Sequence, residues 1–120
     1  MHELSIAMGI LEITEEESER RGGVHVDAIH LRLGPLSGVA KEALLSAWQL
    51  ASEQTEFESS RLVIEEVPIA VFCSRCQAER PVQSVQHMCC AECDTPSMEV
   101  LHGREMLVSA LELAERAPNR

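Results

Sequence analysis

The chain has 120 residues, with 20 acidic and 10 basic side chains and a formal charge of −10 with histidines neutral. That length holds one modest domain plus a metal-stapled subdomain, and 45% apolar residues exclude a disordered chain. The acidic field repels phosphate backbones and so speaks against nucleic-acid binding; it suits metal cations, a basic partner, or plain solubility. Aromatics are only Trp48, Phe57 and Phe72, so the core must be aliphatic. No apolar run approaches a membrane span, and no basic-then-apolar leader opens the chain. With cysteines in a metal-site pattern, the expected compartment is the cytoplasm.

Residues 3–20 read as an amphipathic helix: Leu4, Ala7, Met8 and Leu11 recur at helical spacing, and Ile6, Ile10 and Ile13 widen the apolar face. Gly22-Gly23 stops it. Residues 24–33 read as a strand whose apolar parity changes, Val24 and Val26 on one side and Ile29, Leu31 and Leu33 on the other, as a bulge or double burial near Asp27-Ala28 would allow. Residues 34–38 are a turn. A second helix covers about 39–52, burying Leu44, Leu45, Trp48 and Ala51, and a polar loop leads to a strand over 61–67. Pro68 marks an edge or an exit from the sheet. The segment 104–114 is ambiguous: Leu107, Ala110, Leu111 and Ala114 fit a helix, yet a two-stranded first half needs another partner. Residues 115–120 are a polar tail. The whole is a small α+β domain with an insertion.

The insertion carries the strongest chemical signal. Cys73-Ser-Arg-Cys76 is followed, after 13 residues, by Cys90-Ala-Glu-Cys93. Each Cys-x-x-Cys turns tightly enough to aim two thiolates at one point, and two such turns complete a tetrahedron. Four thiolates leave no open position, so the site is structural, for zinc or, less fittingly, iron. Cys89 lies beside this set as a plain thiol, with ligand exchange or an intermolecular contact as alternatives. His87 is a rival ligand by proximity, and His102 also flanks the module; contact with the ligands or simple exposure is the default for both. His25 and His30 read as surface or half-buried residues of the first strand.

The second signal is Met1-His2-Glu3. A large residue at position 2 disfavours trimming of the initiator, which leaves the terminal amine on Met1. That amine, free amide nitrogens at a helix start and the His2 imidazole form a chelating set. Nitrogen donors in a tetragonal arrangement favour Ni(II) or Cu(II), and binding releases protons. Glu3 offsets the helix dipole, which opposes a cation there.

Four stretches in order resemble the HypA/HybF family of nickel metallochaperones: Met-His-Glu-Leu-Ser-Ile at 1–6, Leu33-Gly34-Pro35-Leu36-Ser37-Gly38, both cysteine knuckles, and Gly103-Arg104-Glu105-Met106. The resemblance covers essentially the whole chain. It implies two helices on a three-stranded sheet with an inserted zinc-ribbon domain, hence a strand over 104–113. It divides the chain into 1–68 plus 103–120 for nickel and 69–102 for zinc. It implies nickel at Met1, His2 and Glu3, and structural zinc at Cys73, Cys76, Cys90 and Cys93. It further implies delivery of Ni(II) to the [NiFe]-hydrogenase large subunit, a HypB-type GTPase as partner, urease maturation proteins as further partners, and homodimers. On this reading the protein is a carrier and not an enzyme; neither a Gly-rich phosphate loop nor a nucleophile elbow is present. The competing reading is a zinc-ribbon nucleic-acid or transcription-complex module, which charge disfavours. One departure is Ala40, where family members often carry an acid that would close a capping box with Ser37.

Overall fold

The computed structural model describes residues 2–114; Met1 and the tail at 115–120 lie outside the described residues. The elements run α1 (Glu3–Arg20), β1 (Val26–Leu33), a 3-10 turn (Pro35–Ser37), α2 (Lys41–Ser52), β2 (Arg61–Glu66), β3 (Ala70–Cys73), β4 (Ala78–Ser84), β5 (His87–Cys90), β6 (Val100–His102) and β7 (Met106–Leu113). Two compact units result. One takes residues 2–31, Val39–Ile64 and 108–114; the other takes Arg32–Gly38 and Glu65–Leu107.

In the first unit, α1 buries one stripe, Ala7, Ile10, Leu11, Thr14 and Ser18. The apolar face is therefore narrower than the periodicity suggested: Leu4, Met8 and Ile13 are 43%, 50% and 49% exposed. One stripe at i, i+3, i+4, i+7 is all that a single packing partner covers. The two polar members of that stripe are satisfied, Thr14 Oγ1 donating to Ile10 O and Ser18 Oγ to Val24 O. The parity change in β1 falls at Ala28-Ile29, where adjacent residues are both fully buried. Ile29, Leu31, Leu44, Trp48, Phe57 and Leu62 complete the core, which is therefore not purely aliphatic as expected: two of the three aromatics are buried in it. Trp48 Nε1 donates to Ser60 O at 3.0 Å, and Ser60 Oγ donates to Val26 O at 2.6 Å, so the one indole is anchored to the sheet.

The strand order is β2-β1-β7. Ser60 bonds Val26 and Val67 bonds Leu33, a constant offset of 34 residues, so β1 and β2 run parallel with α2 as their crossover. On the other side, Ala114 N donates to His25 O and Ser109 Oγ to His30 O, in opposite chain senses. Residues 106–113 are thus a strand, as the family resemblance implied and against helix propensity; the open edge of β1 decides it. The start of α2 also differs from expectation. Its N-cap is Ala40, not Ser37, and no side chain caps it. Gly38, at φ 80, separates the short 3-10 turn from the helix.

In the second unit, antiparallel strands form a sheet in the order β5-β4-β3-β6. Its fully buried side chains are few, chiefly Val71, Cys73 and Cys90. Two of the sequence landmarks meet in this unit, backbone against backbone. Gly34 N donates to Glu105 O and Leu36 N to Gly103 O, both at 2.8 Å. A Cβ on Gly34 would lie 2.1 Å from Gly103 O, so only glycine fits. Glu105 then closes the turn: its carboxylate accepts from Gly103 N at 2.6 Å and pairs with His102 Nδ1 at 2.9 Å.

The His102 pairing, then the Gly103 amide, holds the Glu105 carboxyl down at about 2, against an ordinary 4.5. The ionised form is favoured on folding, so its contribution is present above the ordinary value and lost as pH falls toward 2. Glu105→Gln should therefore be less stable than wild type at pH 5 in denaturant unfolding, and the gap should close as pH approaches 2. A gap that does not change with pH would contradict the assignment.

Candidate metal centres

Each cysteine knuckle is built the same way. Gln77 N donates to Cys73 O and Asp94 N to Cys90 O, both at 2.7 Å. Within each loop an amide points at the first sulfur, Cys76 N at Cys73 Sγ and Glu92 N at Cys90 Sγ, both at 3.3 Å. The residue after each second cysteine adopts a left-handed conformation, Gln77 at φ 57 and Asp94 at φ 64. That reversal is how the chain leaves the thiol pair and returns to the sheet.

The register of β3 and β4 and the pairing of β4 with β5 bring the two knuckles together. The Sγ separations are 3.5 Å for Cys73–Cys93, 3.7 Å for Cys76–Cys93 and 3.9 Å for Cys76–Cys90. Sulfurs bound at about 2.3 Å on a tetrahedral ion sit roughly 3.8 Å apart. The same distances are far too long for a disulfide, and all the cysteines are free thiols. Cys73 and Cys90 are fully buried, and Cys76 and Cys93 are half-buried. A buried, closed set of four thiols fits a tetrahedral thiophilic ion and leaves no position for a substrate.

The electrostatics agree. The Thr95 hydroxyl, then its amide, with help from the neighbouring thiols, lowers the Cys93 thiol to about 6. Arg80 draws Cys76 down as well. Cys93, burial and the other two thiols together outweigh it and push Cys76 up to about 11. One thiolate forms easily, and further negative charge beside it does not. A divalent cation is the group that lets all four ionise. Thr95 and Arg80 carry no metal-site signature in sequence; their roles follow only from the fold.

The chain start is organised differently. His2 is exposed and occupies the N-cap of α1, its carbonyl accepting from Ile6 N at 2.9 Å. Its imidazole makes no capping hydrogen bond. Glu3, the first helical residue, accepts from Ala40 N at 3.3 Å, so its carboxylate reaches the start of α2. The donor at position 40 is the backbone amide, so this contact does not depend on the side chain there. Met1, the third residue of the expected nickel set, lies outside the described residues.

Among the other histidines, His30 pairs with Glu112 at 2.5 Å and His102 with Glu105, so both have structural partners. His25 lies 3.7 Å from Asp27 on the surface. His87 does not join the four thiols. It pairs with Asp94 at 2.7 Å and stands with Asp94 and Cys89 as a second group of potential ligands.

Residues 1–113 match the family model described as hydrogenase/urease nickel incorporation, metallochaperone, hypA. The chain is 41% identical over 118 residues to the hydrogenase maturation factor HypA of Roseiflexus sp. strain RS-1, covering 98% of this chain and 96% of that protein. It is 41% identical over 112 residues to HypA of Chloroflexus aurantiacus strain J-10-fl, covering 93% and 98%. The fold is similar to the solution structure of the Ni metallochaperone HypA from Helicobacter pylori, with a TM-score of 0.65 and 20% identity over 97% of this chain and 100% of that one.

Thr95→Val removes the hydroxyl that lies 3.1 Å from Cys93 Sγ. Loss of such a supporting contact typically weakens a metal site by about tenfold or more. Competition between the protein and a coloured chelator for Zn(II) should show that drop, and unchanged affinity would mean that Thr95 does not tune the cluster.

Proposed function

The chain belongs to the HypA family of hydrogenase/urease nickel-incorporation metallochaperones, and on that premise we propose that it binds one Ni(II) at its N-terminus and delivers it to the [NiFe]-hydrogenase large subunit. The observation that carries this reading is His2, exposed at the N-cap of α1 with its imidazole uncommitted to a capping bond. The first amides of a helix have no intrahelical acceptor, so a metal can take the Glu3 nitrogen without breaking a helical bond. The proposed donors are the Met1 amine, the His2 imidazole and the His2 and Glu3 backbone nitrogens, with the Glu3 carboxylate offsetting the helix dipole. Deprotonating amide nitrogens makes binding weaken as pH falls. A planar nitrogen site on a chain end is open from several sides, so thiolates of a receiving protein can displace its donors stepwise.

The four-cysteine cluster holds the metal that stays. We assign Zn(II) to Cys73, Cys76, Cys90 and Cys93, in a module spanning 69–102, and nickel handling to 1–68 plus 103–120. The partners in this reading are a HypB-type GTPase, the hydrogenase large subunit and urease maturation proteins, with the carrier acting as a homodimer in the cytoplasm. No helix among the described residues is long and apolar enough to cross a membrane. We read the role as carriage rather than catalysis; the four-thiol cluster, being closed, leaves no position for a substrate.

Untagged wild-type protein should bind one Ni(II) per chain in calorimetry. His2→Ala, or a single residue added before Met1, should abolish that binding while zinc content and helical circular dichroism stay unchanged. Full one-to-one nickel binding in either variant would refute the N-terminal site.

A further inference from the structure

Strand β5 ends in adjacent cysteines, and the pleat sends them to opposite faces. Cys90 turns inward to the four-thiol cluster. Cys89 and His87, two residues apart, share the other face, Cys89 half-buried and His87 exposed. The segment after the second knuckle folds back antiparallel to this strand: Cys90 N donates to Thr95 O at 2.8 Å, Ser97 N to Met88 O at 3.1 Å, and Cys89 pairs with Pro96 across a β-bridge. That return places Asp94 over the same face, its carboxylate 2.7 Å from His87 Nε2. One ligand atom from each of His87, Cys89 and Asp94 lies within 4.8 Å of the other two. None of the three belongs to the four-thiol cluster.

We propose that His87, Cys89 and Asp94 form a second, open metal site for a borderline divalent ion that accepts tetrahedral coordination, Zn(II) or Co(II). The donor set of one thiolate, one imidazole and one carboxylate is the mixed soft and hard set that these ions accept, and hard ions such as Mg(II) and Ca(II) reject thiolate. Three protein ligands leave a fourth position for water or an incoming donor, unlike the closed cluster beside it. Ligand atoms on such an ion sit roughly 3.3–3.8 Å apart, so the trio needs to shift by only about 1 Å. His87 and Asp94 are surface side chains and can make that adjustment, 47% and 70% exposed. On binding, Cys89 loses its thiol proton to solvent, Asp94 enters as the carboxylate, and His87 gives its Nε2 lone pair in place of its bond to Asp94. An exposed site with an open position exchanges its ion readily, so it serves as a transit point and not as a staple.

Cobalt reports on this directly, because only a thiolate ligand gives an intense near-ultraviolet sulfur-to-cobalt charge-transfer band. The full chain, reduced and carrying one zinc, is titrated with Co(II), and retained zinc is measured alongside. The expected result is a charge-transfer band at one added cobalt per site with zinc retained. The band should vanish in Cys89→Ser and require at least tenfold more cobalt in His87→Gln and in Asp94→Asn. It should persist in His2→Ala, since the N-terminal donors are nitrogens. No band with zinc retained, or a band that survives Cys89→Ser, overturns the proposal. Loss of the single zinc in Cys89→Ser also overturns it, because Cys89 would then belong to the four-thiol cluster.

Discussion

Four cysteine sulfurs lie within 4.8 Å of one another, and as thiolates they would repel unless a cation sat among them. The second unit is arranged around that constraint. Its strands are short and its buried apolar side chains few, so hydrophobic burial alone gives it little support. The knuckle amides of Cys76 and Glu92 point at the Cys73 and Cys90 sulfurs, while the Thr95 hydroxyl draws Cys93 toward thiolate and the Arg80 guanidinium pulls Cys76 the same way. With the ion bound, the cluster ties β3, β4 and β5 to one point, and its binding energy is folding energy for the unit.

The chain start follows the opposite logic. The donors proposed there come from consecutive residues, and His2 among them is exposed at the N-cap of α1. The first unit has an ordinary hydrophobic core around Ile29, Leu44, Trp48 and Phe57 and can present α1 without help from a metal. The Glu3 carboxylate, bonded to the Ala40 amide, links the starts of α1 and α2. On the proposed reading, the site that releases its ion and the cluster that keeps it are made from different donors on different parts of the chain.

Much of this was legible in the sequence, for physical reasons. The Cys-x-x-Cys spacing encodes its own turn geometry, both helices announce themselves by periodicity, and the first two strands by short aliphatic, β-branched runs between turns. Segment 106–113 did not: its residues prefer a helix, and only the unpaired edge of β1 makes it a strand. The exposure of Leu4, Met8 and Ile13 was likewise hidden, since periodicity cannot say how many partners a helix has. Ser37 looked like a cap because a serine precedes a helix-forming run, but the left-handed Gly38 moves the start to Lys41. The grouping of His87, Cys89 and Asp94 depends on strand parity plus a chain reversal, which no spacing rule encodes. The Gly34 and Gly103 landmarks were visible as motifs, and the structure supplies their cause: two backbones in contact with no room for a Cβ.

The central claim is that the metal that moves and the metal that stays occupy different donor sets. X-ray absorption at the nickel edge, on untagged protein loaded with one nickel and one zinc, tests it most directly. The account predicts a nickel shell of nitrogen and oxygen only, with imidazole scattering from His2, and a zinc shell of four sulfurs. Sulfur in the nickel shell at full zinc occupancy would contradict it.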